Sequence, residues 1–282
     1  MVPFGYRRAI SLGLWSSLLV LLALAYGNFV RQVSYAWQHN EEYSFGILIP
    51  PMVAYLIWKR RHRISNTVTS TWFPGLLLAT MGCGLQVLAS RSGTLLASGV
   101  ALIVTIAGVS GYLWGKQRLA LIAGPVVLLI LMVPLPSYAV GEVSWYLQSA
   151  ASTLSGAILG FLGVPVYQDG NLLRLSNYVL EVKQACSGSR SIFALLALAC
   201  AIGLIMNEKY WARILLVIVA PFLALGANVM RIVGTGLIAT EWGSLVANES
   251  LHQALGIAVF LIAVLGLLGM QNLLRWVSCK NA

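Results

Sequence analysis

Charged residues are scarce in this chain of 282 residues, because Asp, Glu, Lys and Arg together make up only 9% of it, whereas 59% of the residues are hydrophobic. The mean hydropathy is +0.84. A soluble domain needs far more charge to keep its surface hydrated, so the composition excludes a soluble globular fold. It predicts an all-α polytopic membrane protein.

Paired cysteines and clustered metal ligands are also missing. Cys83, Cys186, Cys200 and Cys279 are far apart in the sequence, and neither a Cys-x-x-Cys unit nor a His-Glu-x-x-His motif occurs. These absences argue against a disulfide framework, a zinc site and a metalloprotease. We therefore predict an active site without a metal ion or a cofactor.

Acidic residues are few, eight against 18 Lys and Arg, which gives a formal net charge of +10. A basic excess can indicate a nucleic-acid partner. Here, however, the basic residues form short clusters at the ends of apolar segments, such as the block from Lys59 to Arg63. This pattern is typical of membrane topology, so we predict no nucleic-acid partner.

The apolar segments predict a single integral membrane domain over residues 1–282 with about eight transmembrane helices. The predicted spans are Ile10–Phe29, Phe45–Trp58, Trp72–Ala89, Leu95–Trp114, Leu119–Val133, Ser191–Met206, Ile214–Ala227 and Leu251–Leu274. We interpret the first as a retained helix rather than a cleaved signal peptide, because its length suits a full span of about 20 residues. With both termini cytoplasmic, most Lys and Arg fall inside. We expect a multi-pass protein of the cell (inner) membrane.

The region between the fifth and sixth predicted spans differs from the rest. The Pro134-Leu-Pro136 sequence ends the fifth span, because proline cannot donate the next helical hydrogen bond. The segment from Gly141 to Val164 predicts a helix, with small residues spaced for close packing at Ser152, Gly156, Gly160 and Gly163, that lies along or dips into the outer interface. Tyr167–Gly170 then reads as a turn, and Asn171–Gln184 predicts a short extracytoplasmic β-hairpin.

Cys186 is the candidate nucleophile, because it lies where the predicted hairpin ends and the next helix begins. Backbone N–H groups of the turn from Ser187 to Arg190 would favour its thiolate form. An unpaired cysteine is often only a small buried hydrophobic residue, but the Ser- and Gly-rich setting favours a reactive one. Ser187 and Arg190, in the same turn, are candidates for binding or orienting a substrate.

Arg231 is the second candidate, because it follows a long apolar segment and would lie at the predicted membrane boundary. A charge at that depth is costly unless it has a partner. One interpretation is a snorkelling anchor; the other is a guanidinium that donates to an oxyanion or a carboxylate. Asn228, three residues earlier on the same helical face, is a candidate for orienting Arg231 or the substrate.

His252 begins the last predicted span, at the same outer face. A lone histidine at a helix end is usually structural, but one near a reactive cysteine suits general acid/base catalysis. Together, Cys186, Arg231 and His252 describe a thiol acyl-transfer site.

Three motifs give this chain a family resemblance over roughly residues 40–270. They are Ala185–Ser191, the stretch from Pro221 to Asn228-Val-Met-Arg231-Ile232, and His252 with Gly256 one turn later. In these motifs the chain resembles the exosortase/archaeosortase family of membrane transpeptidase-like cysteine enzymes. The resemblance implies that Cys186 is the nucleophile, Arg231 stabilises the transition state and His252 is the acid/base.

The resemblance also implies the substrates and partners. Substrates in the family are exported proteins with a C-terminal Pro-Glu-Pro-type (PEP-CTERM-like) sorting signal, a transmembrane helix and a basic tail, often alongside exopolysaccharide synthesis. We therefore expect cleavage of such a signal at the extracytoplasmic face, with membrane lipid as a partner and an exopolysaccharide or lipid as a candidate acceptor. The family often has Ser-His-Gly where this chain has Ser44-Phe45-Gly46, so we assign no chemistry to Phe45.

An alternative function from another class stays open. The chain could be a non-enzymatic membrane component of exopolysaccharide or lipid export, in which Arg231 and the basic helix ends bind anionic head groups. That alternative predicts a dispensable Cys186, whereas a cysteine peptidase or transpeptidase requires it.

Overall fold

The structure, a computed structural model, describes residues 4–176, 178–182, 189–206, 210–242 and 249–280. The described part is mostly helical, with one small antiparallel sheet. The chain divides into two compact units: unit 1 comprises Met1–Asn40 and Gly46–Leu135, and unit 2 comprises Glu41–Phe45 and Pro136–Ala282. The single membrane domain stays a prediction.

Unit 1 is built from helices. These are α1 (Phe4–His39), α2 (Ile49–Lys59), α3 (Arg61–Ser65), α4 (Phe73–Ser92), α5 (Leu95–Trp114) and α6 (Lys116–Leu128). A 3-10 helix over Glu41–Leu48 precedes α2, and another over Leu129–Met132 follows α6.

Local chemistry accounts for several helix ends. Gly93 adopts a φ of 68° between α4 and α5, a left-handed conformation that glycine takes without steric cost. Helical structure ends at Met132 and resumes at Ser137, so Pro134 and Pro136 interrupt it as predicted.

The interior of unit 1 contains polar contacts that join its helices. The hydroxyl groups of Tyr26 on α1 and Thr105 on α5 are hydrogen-bonded at 2.7 Å, and both residues are buried. Gly82 of α4 leaves room for the Thr105 side chain. Gln86 Nε2 donates to the carbonyl oxygen of Ala25 at 3.1 Å. Buried hydrogen bonds of this kind fix the positions of packed apolar helices.

Unit 2 combines helices with the sheet. Its elements are α7 (Ser137–Phe161), β1 (Val166–Asp169), β2 (Leu172–Leu175), β3 (Val179–Glu181), α8 (Ser189–Ile205), α9 (Tyr210–Trp242) and α10 (Glu249–Lys280). The strand order is β1-β2-β3, and both pairings are antiparallel.

The sheet corrects one sequence prediction and agrees with another. Tyr167 to Asp169 lie in β1, paired with β2, rather than in the predicted turn. The turn falls at Gly170 and Asn171, where Gly170 adopts a φ of 59°. A Gly-Asn pair favours a two-residue hairpin, and the polar composition of β1 concealed the strand before it. The predicted hairpin within Asn171–Gln184 is present as β2 and β3.

Helix α9 corrects a second prediction. The predicted span ends at Ala227, but α9, which has 33 residues in all, continues to Trp242. Asn228 and Arg231 therefore lie within the helix. The polar residues suggested a boundary, yet Met, Arg and Ile are compatible with a helix and no proline follows Pro221. Thr235 Oγ1 donates to the carbonyl oxygen of Arg231 at 2.8 Å, a bond within the continuing helix.

The eight predicted spans are not confirmed. Among the described residues, four helices are long and apolar enough to cross a membrane: α4, α5, α9 over Tyr210–Thr240 and α10 over Ala254–Ser278. A fifth candidate, Lys116–Met132 with Ser137–Phe161, passes this test only when the two parts are taken together. Helices α2, with 11 residues, and α8, with 17, fall short of the roughly 20 residues that a full span needs.

Candidate active site

One face of α9 carries the polar residues of the candidate site. Asn228, Arg231 and Thr235 are three and four residues apart, a spacing that places them on one side of a helix. Asn228 and Thr235 are buried, and Nε and Nη2 of Arg231 are shielded from solvent. A cation inside an apolar span is costly and rare, so this face of α9 is the candidate site.

The side chain of Arg231 lies against α10. A Cβ atom added at Gly256 would be 3.7 Å from Arg231 Nη1 and 3.9 Å from Arg231 Cδ. The absence of a side chain at Gly256 therefore lets the guanidinium approach the α10 backbone. His252 is one helical turn before Gly256, hence on the same face of α10, although its side chain lies outside the described part. The backbone thus brings position 252 towards Arg231.

The sheet packs near α7 and the face of α9 that carries Val229, Ile232 and Val233, close to Arg231 in the sequence. A cluster of buried residues, here called the sheet cluster, joins the strands to α7 and α9; it consists of Ala151, Leu159, Leu173, Leu175, Val182, Val229, Ile232 and Val233. Val182 follows β3, and its N–H donates to the Asn171 carbonyl oxygen at 3.0 Å. Val182 is therefore held in the same cluster as Val229 and Ile232, which flank Arg231.

A second cluster fixes the beginning of α8. This three-helix cluster joins α8, α9 and α10; its buried members include Ile192, Leu195, Ala224, Ala227 and Ala263, with the partly buried Val259 packed against it. Ile192 lies in the first turn of α8, Ala227 precedes Asn228, and Val259 follows Gly256 by three residues. The beginning of α8 is thus packed in the same apolar cluster as Ala227 and Val259.

The predicted site residues fall into two groups. Asn228 and Arg231 are on α9, and Arg190 is exposed at the second position of α8. Cys186 and Ser187 belong to residues 183–188, which lie outside the described residues. The structure therefore brings Arg231 to the face of α10 on which position 252 lies, and it describes the chain up to Val182 and from Ser189 onwards.

Sequence reasoning missed an aromatic contact next to these residues. The rings of Phe45 and Phe193 are stacked, with centroids 6.4 Å apart and planes inclined by 14°. Phe193 lies three residues after Arg190 on α8. The two rings are 148 positions apart in the sequence, so no local pattern links them.

Buried serine hydroxyls on α7 were only partly anticipated. Ser144, Ser152 and Ser155 are at most 2% exposed, and their hydroxyl oxygens have no hydrogen-bond partner within the described part. The small residues of this segment, Ser152 among them, predicted close packing but not a buried polar face. Among the described residues, no three His, Cys, Asp or Glu side chains are grouped to hold a metal ion.

Comparison with known families decides the identity. The family model described as transmembrane exosortase matches residues 37–269, most of the chain. The chain belongs to the transmembrane exosortase family. The resemblance inferred from the motifs is therefore confirmed, and membership in the exosortase family supports a membrane transpeptidase-like role in general. No curated protein and no solved structure matches the chain significantly.

The contact between Arg231 and Gly256 predicts the effect of side-chain size on α10. Gly256→Leu should displace the guanidinium and lower the free energy of unfolding by about 1–3 kcal/mol, the usual result of overpacking. Gly256→Ala should be tolerated, because its Cβ would be at ordinary contact distance. Thermal unfolding of the purified protein in detergent measures both effects.

Gly269→Leu is the matched control, because nothing lies within 4 Å of a Cβ at that position of the same helix. Both substitutions gain similar helix propensity. Equal stability of the Gly256→Leu and Gly269→Leu variants would contradict the close approach of Arg231 to α10.

Proposed function

We propose that this protein is a membrane-embedded cysteine protease or transpeptidase that cleaves PEP-CTERM-like C-terminal sorting signals of exported proteins through an acyl-enzyme on Cys186. The observation that carries the proposal is the packing of Arg231. It is a cation within the α9 span, and it lies against Gly256, one turn from His252. The family's transpeptidase-like chemistry needs a nucleophile, a donor to the oxyanion and a proton carrier. Cys186, Arg231 and His252 are the residue types that supply them.

The chain on both sides of Cys186 supports its assignment to this site. Val182 is buried in the sheet cluster with Val229 and Ile232, and Ile192 is buried in the three-helix cluster with Ala227. Only six residues join Val182 to Ser189. Because an extended chain covers at most ~3.5 Å per residue, position 186 is within ~14 Å of Val182. This limit on chain length supports a position of Cys186 near the part of α9 that carries Val229 and Ile232.

The proposed reaction begins with attack of the Cys186 thiolate on the scissile carbonyl carbon. A C–S bond forms, and the carbonyl oxygen becomes an oxyanion to which the Arg231 guanidinium donates hydrogen bonds. His252, which has taken the proton of the Cys186 thiol to form the thiolate, gives that proton to the leaving amine as the C–N bond breaks. A thioester remains on Cys186. Water or an acceptor nucleophile then attacks the thioester carbon and gives its proton to His252; the C–S bond breaks, the product leaves, and His252 returns the proton to the sulfur.

The setting of Arg231 favours this role over that of a snorkelling anchor. Its guanidinium lies against α10 at Gly256, with Nε and Nη2 shielded from solvent, whereas a snorkelling side chain extends its charge into water. In surroundings of low dielectric constant, hydrogen bonds to a developing oxyanion are stronger than in water. Asn228, one turn earlier and buried, is assigned to orienting the substrate backbone, with Ser187 and Arg190 beside the nucleophile.

The orientation in the membrane is part of the proposal. The positive-inside rule favours cytoplasmic termini and basic loops, which leaves the site at the extracytoplasmic face of the cell (inner) membrane. A substrate with one transmembrane helix and a basic cytoplasmic tail would then present its signal on the same side. The acceptor is proposed to be water, or an exopolysaccharide or lipid nucleophile.

Replacement of the nucleophile tests the mechanism. Cys186→Ala should abolish cleavage of a co-expressed substrate while leaving membrane insertion intact, because the covalent route needs the thiol. Mass spectrometry of the substrate's new C-terminus measures cleavage. Rapid acid trapping of the wild-type reaction should give a thioester adduct on the peptide that contains Cys186.

Two other cysteines serve as controls. Cys83 is exposed on α4 in unit 1, and Cys200 lies in the interior of α8; their alanine variants should remain active. Efficient cleavage by the Cys186→Ala variant would refute the thiol mechanism and leave the non-enzymatic export component as the better reading.

A conservative replacement tests the arginine. Arg231→Lys keeps the charge but loses the planar fork, so substrate processing should slow by at least about tenfold without loss of folded protein. Arg213→Lys, on the same helix, is the control; Arg213 Nη2 donates to the Met206 carbonyl oxygen, outside the proposed site. If the Arg231→Lys variant processed substrate as fast as the wild type, Arg231 would be a structural residue and not the oxyanion donor.

A further inference from the structure

The net charge of the chain resides entirely in unit 1. The sequence of unit 1 contains no Asp or Glu and ten Lys and Arg, which are Arg7, Arg8, Arg31, Lys59, Arg60, Arg61, Arg63, Arg91, Lys116 and Arg118. Unit 2 contains all eight acidic residues and eight Lys and Arg. Unit 2 therefore has no surplus of negative charge, and the ten surplus positive charges of the chain need counter-ions from outside it.

Much of this charge is concentrated where α2, α3 and α6 meet. Lys59, Arg61 and Arg63, at the end of α2 and in α3, are exposed, as is Lys116 at the start of α6. We call these four residues the basic cluster. The N-terminus of α6 has no side-chain cap, so its backbone N–H groups add positive potential. Four exposed cations at one end of unit 1 attract an anion.

Two further arginines hold this end of unit 1 together. Arg60 Nη1 donates to the Leu121 carbonyl oxygen at 2.6 Å, which joins the end of α2 to α6. Arg118 donates to the Thr67 carbonyl oxygen through Nε at 3.1 Å and Nη2 at 2.8 Å. Thr67 Oγ1 in turn donates to the Arg63 carbonyl oxygen at 2.7 Å. These hydrogen bonds fix the backbone that carries the basic cluster.

Arg61 is positioned by a neighbouring aromatic ring. Its Cζ lies 4.1 Å from the centroid of the Trp58 ring, and its Nη1 donates to the Trp58 carbonyl oxygen at 3.2 Å. The Trp58 ring is 58% exposed. Exposed tryptophan at the end of an apolar helix is typical of the level of lipid head groups. A guanidinium held on that ring is placed where lipid phosphates lie.

We propose that the basic cluster, with Trp58, binds the head group of an anionic phospholipid. The phosphate supplies the charge that unit 1 lacks, and its oxygens accept from the forked guanidinium of Arg61 and from Arg63 and Lys116. The Trp58 ring contacts the boundary between the head group and the acyl chains. The lipid is a structural ligand of unit 1, and its binding does not depend on the proposed catalysis in unit 2.

Lipid binding to purified full-length protein tests this inference. In neutral detergent, added phosphatidylglycerol should raise the unfolding temperature and appear as a retained adduct in native mass spectrometry, whereas phosphatidylcholine should do neither. Arg61→Gln/Arg63→Gln should weaken phosphatidylglycerol binding about tenfold or more. Arg31→Gln/Arg91→Gln, which removes the same charge from exposed positions elsewhere in unit 1, should change it by less than about twofold.

Three results would overturn the proposal. Equal weakening in the two double variants would mean that binding depends on net charge alone. Undiminished binding in the Arg61→Gln/Arg63→Gln variant would place the lipid elsewhere. Equal stabilisation by inorganic phosphate or polyglutamate would mean that the cluster takes free phosphate or an acidic peptide. If the Arg61→Gln/Arg63→Gln variant does not fold, the Lys116→Gln variant replaces it in the test. Its binding of phosphatidylglycerol should also weaken.

Discussion

The guanidinium of Arg231, within an apolar helix, is the constraint on which the site depends. A cation at this depth is tolerated only where the surrounding protein provides for it. Gly256 supplies that room on α10 by having no side chain. The sheet cluster and the three-helix cluster then fix α9 on either side of Arg231. Apolar packing thus joins the strands, the start of α8 and α10 to the helix that carries this charged side chain.

Sequence reasoning succeeded where local chemistry determines the outcome. Helix α5 has the predicted bounds, Leu95–Trp114, because an apolar run lies between a glycine turn and Gly115. The break at Pro134 and Pro136 follows from the missing N–H of proline. The family motifs were also recognisable, since they are short and contiguous around Cys186, Arg231 and His252.

The predictions that failed depend on contacts distant in sequence. The polar stretch after Ala227 looked like the end of a span, whereas α9 continues to Trp242, and Arg231 packs near Gly256, 25 positions later. Strand β1 is polar, and only its pairing with β2 identifies it. The count of eight spans is a different case, because it is not confirmed rather than contradicted: among the described residues four helices are long and apolar enough to cross a membrane, and α2 and α8 are shorter than a full span.

The central claim, that Cys186 shares one site with Arg231 and His252, can be measured by cross-linking. In a chain carrying Cys83→Ala, Cys200→Ala and Cys279→Ala, the native Cys186 is paired with either His252→Cys or Gly269→Cys on α10. A short bifunctional thiol reagent and mass spectrometry then identify the joined peptides. The account predicts an efficient link from Cys186 to position 252 and none to position 269. Absence of the first link, or equal yields of both, would contradict it.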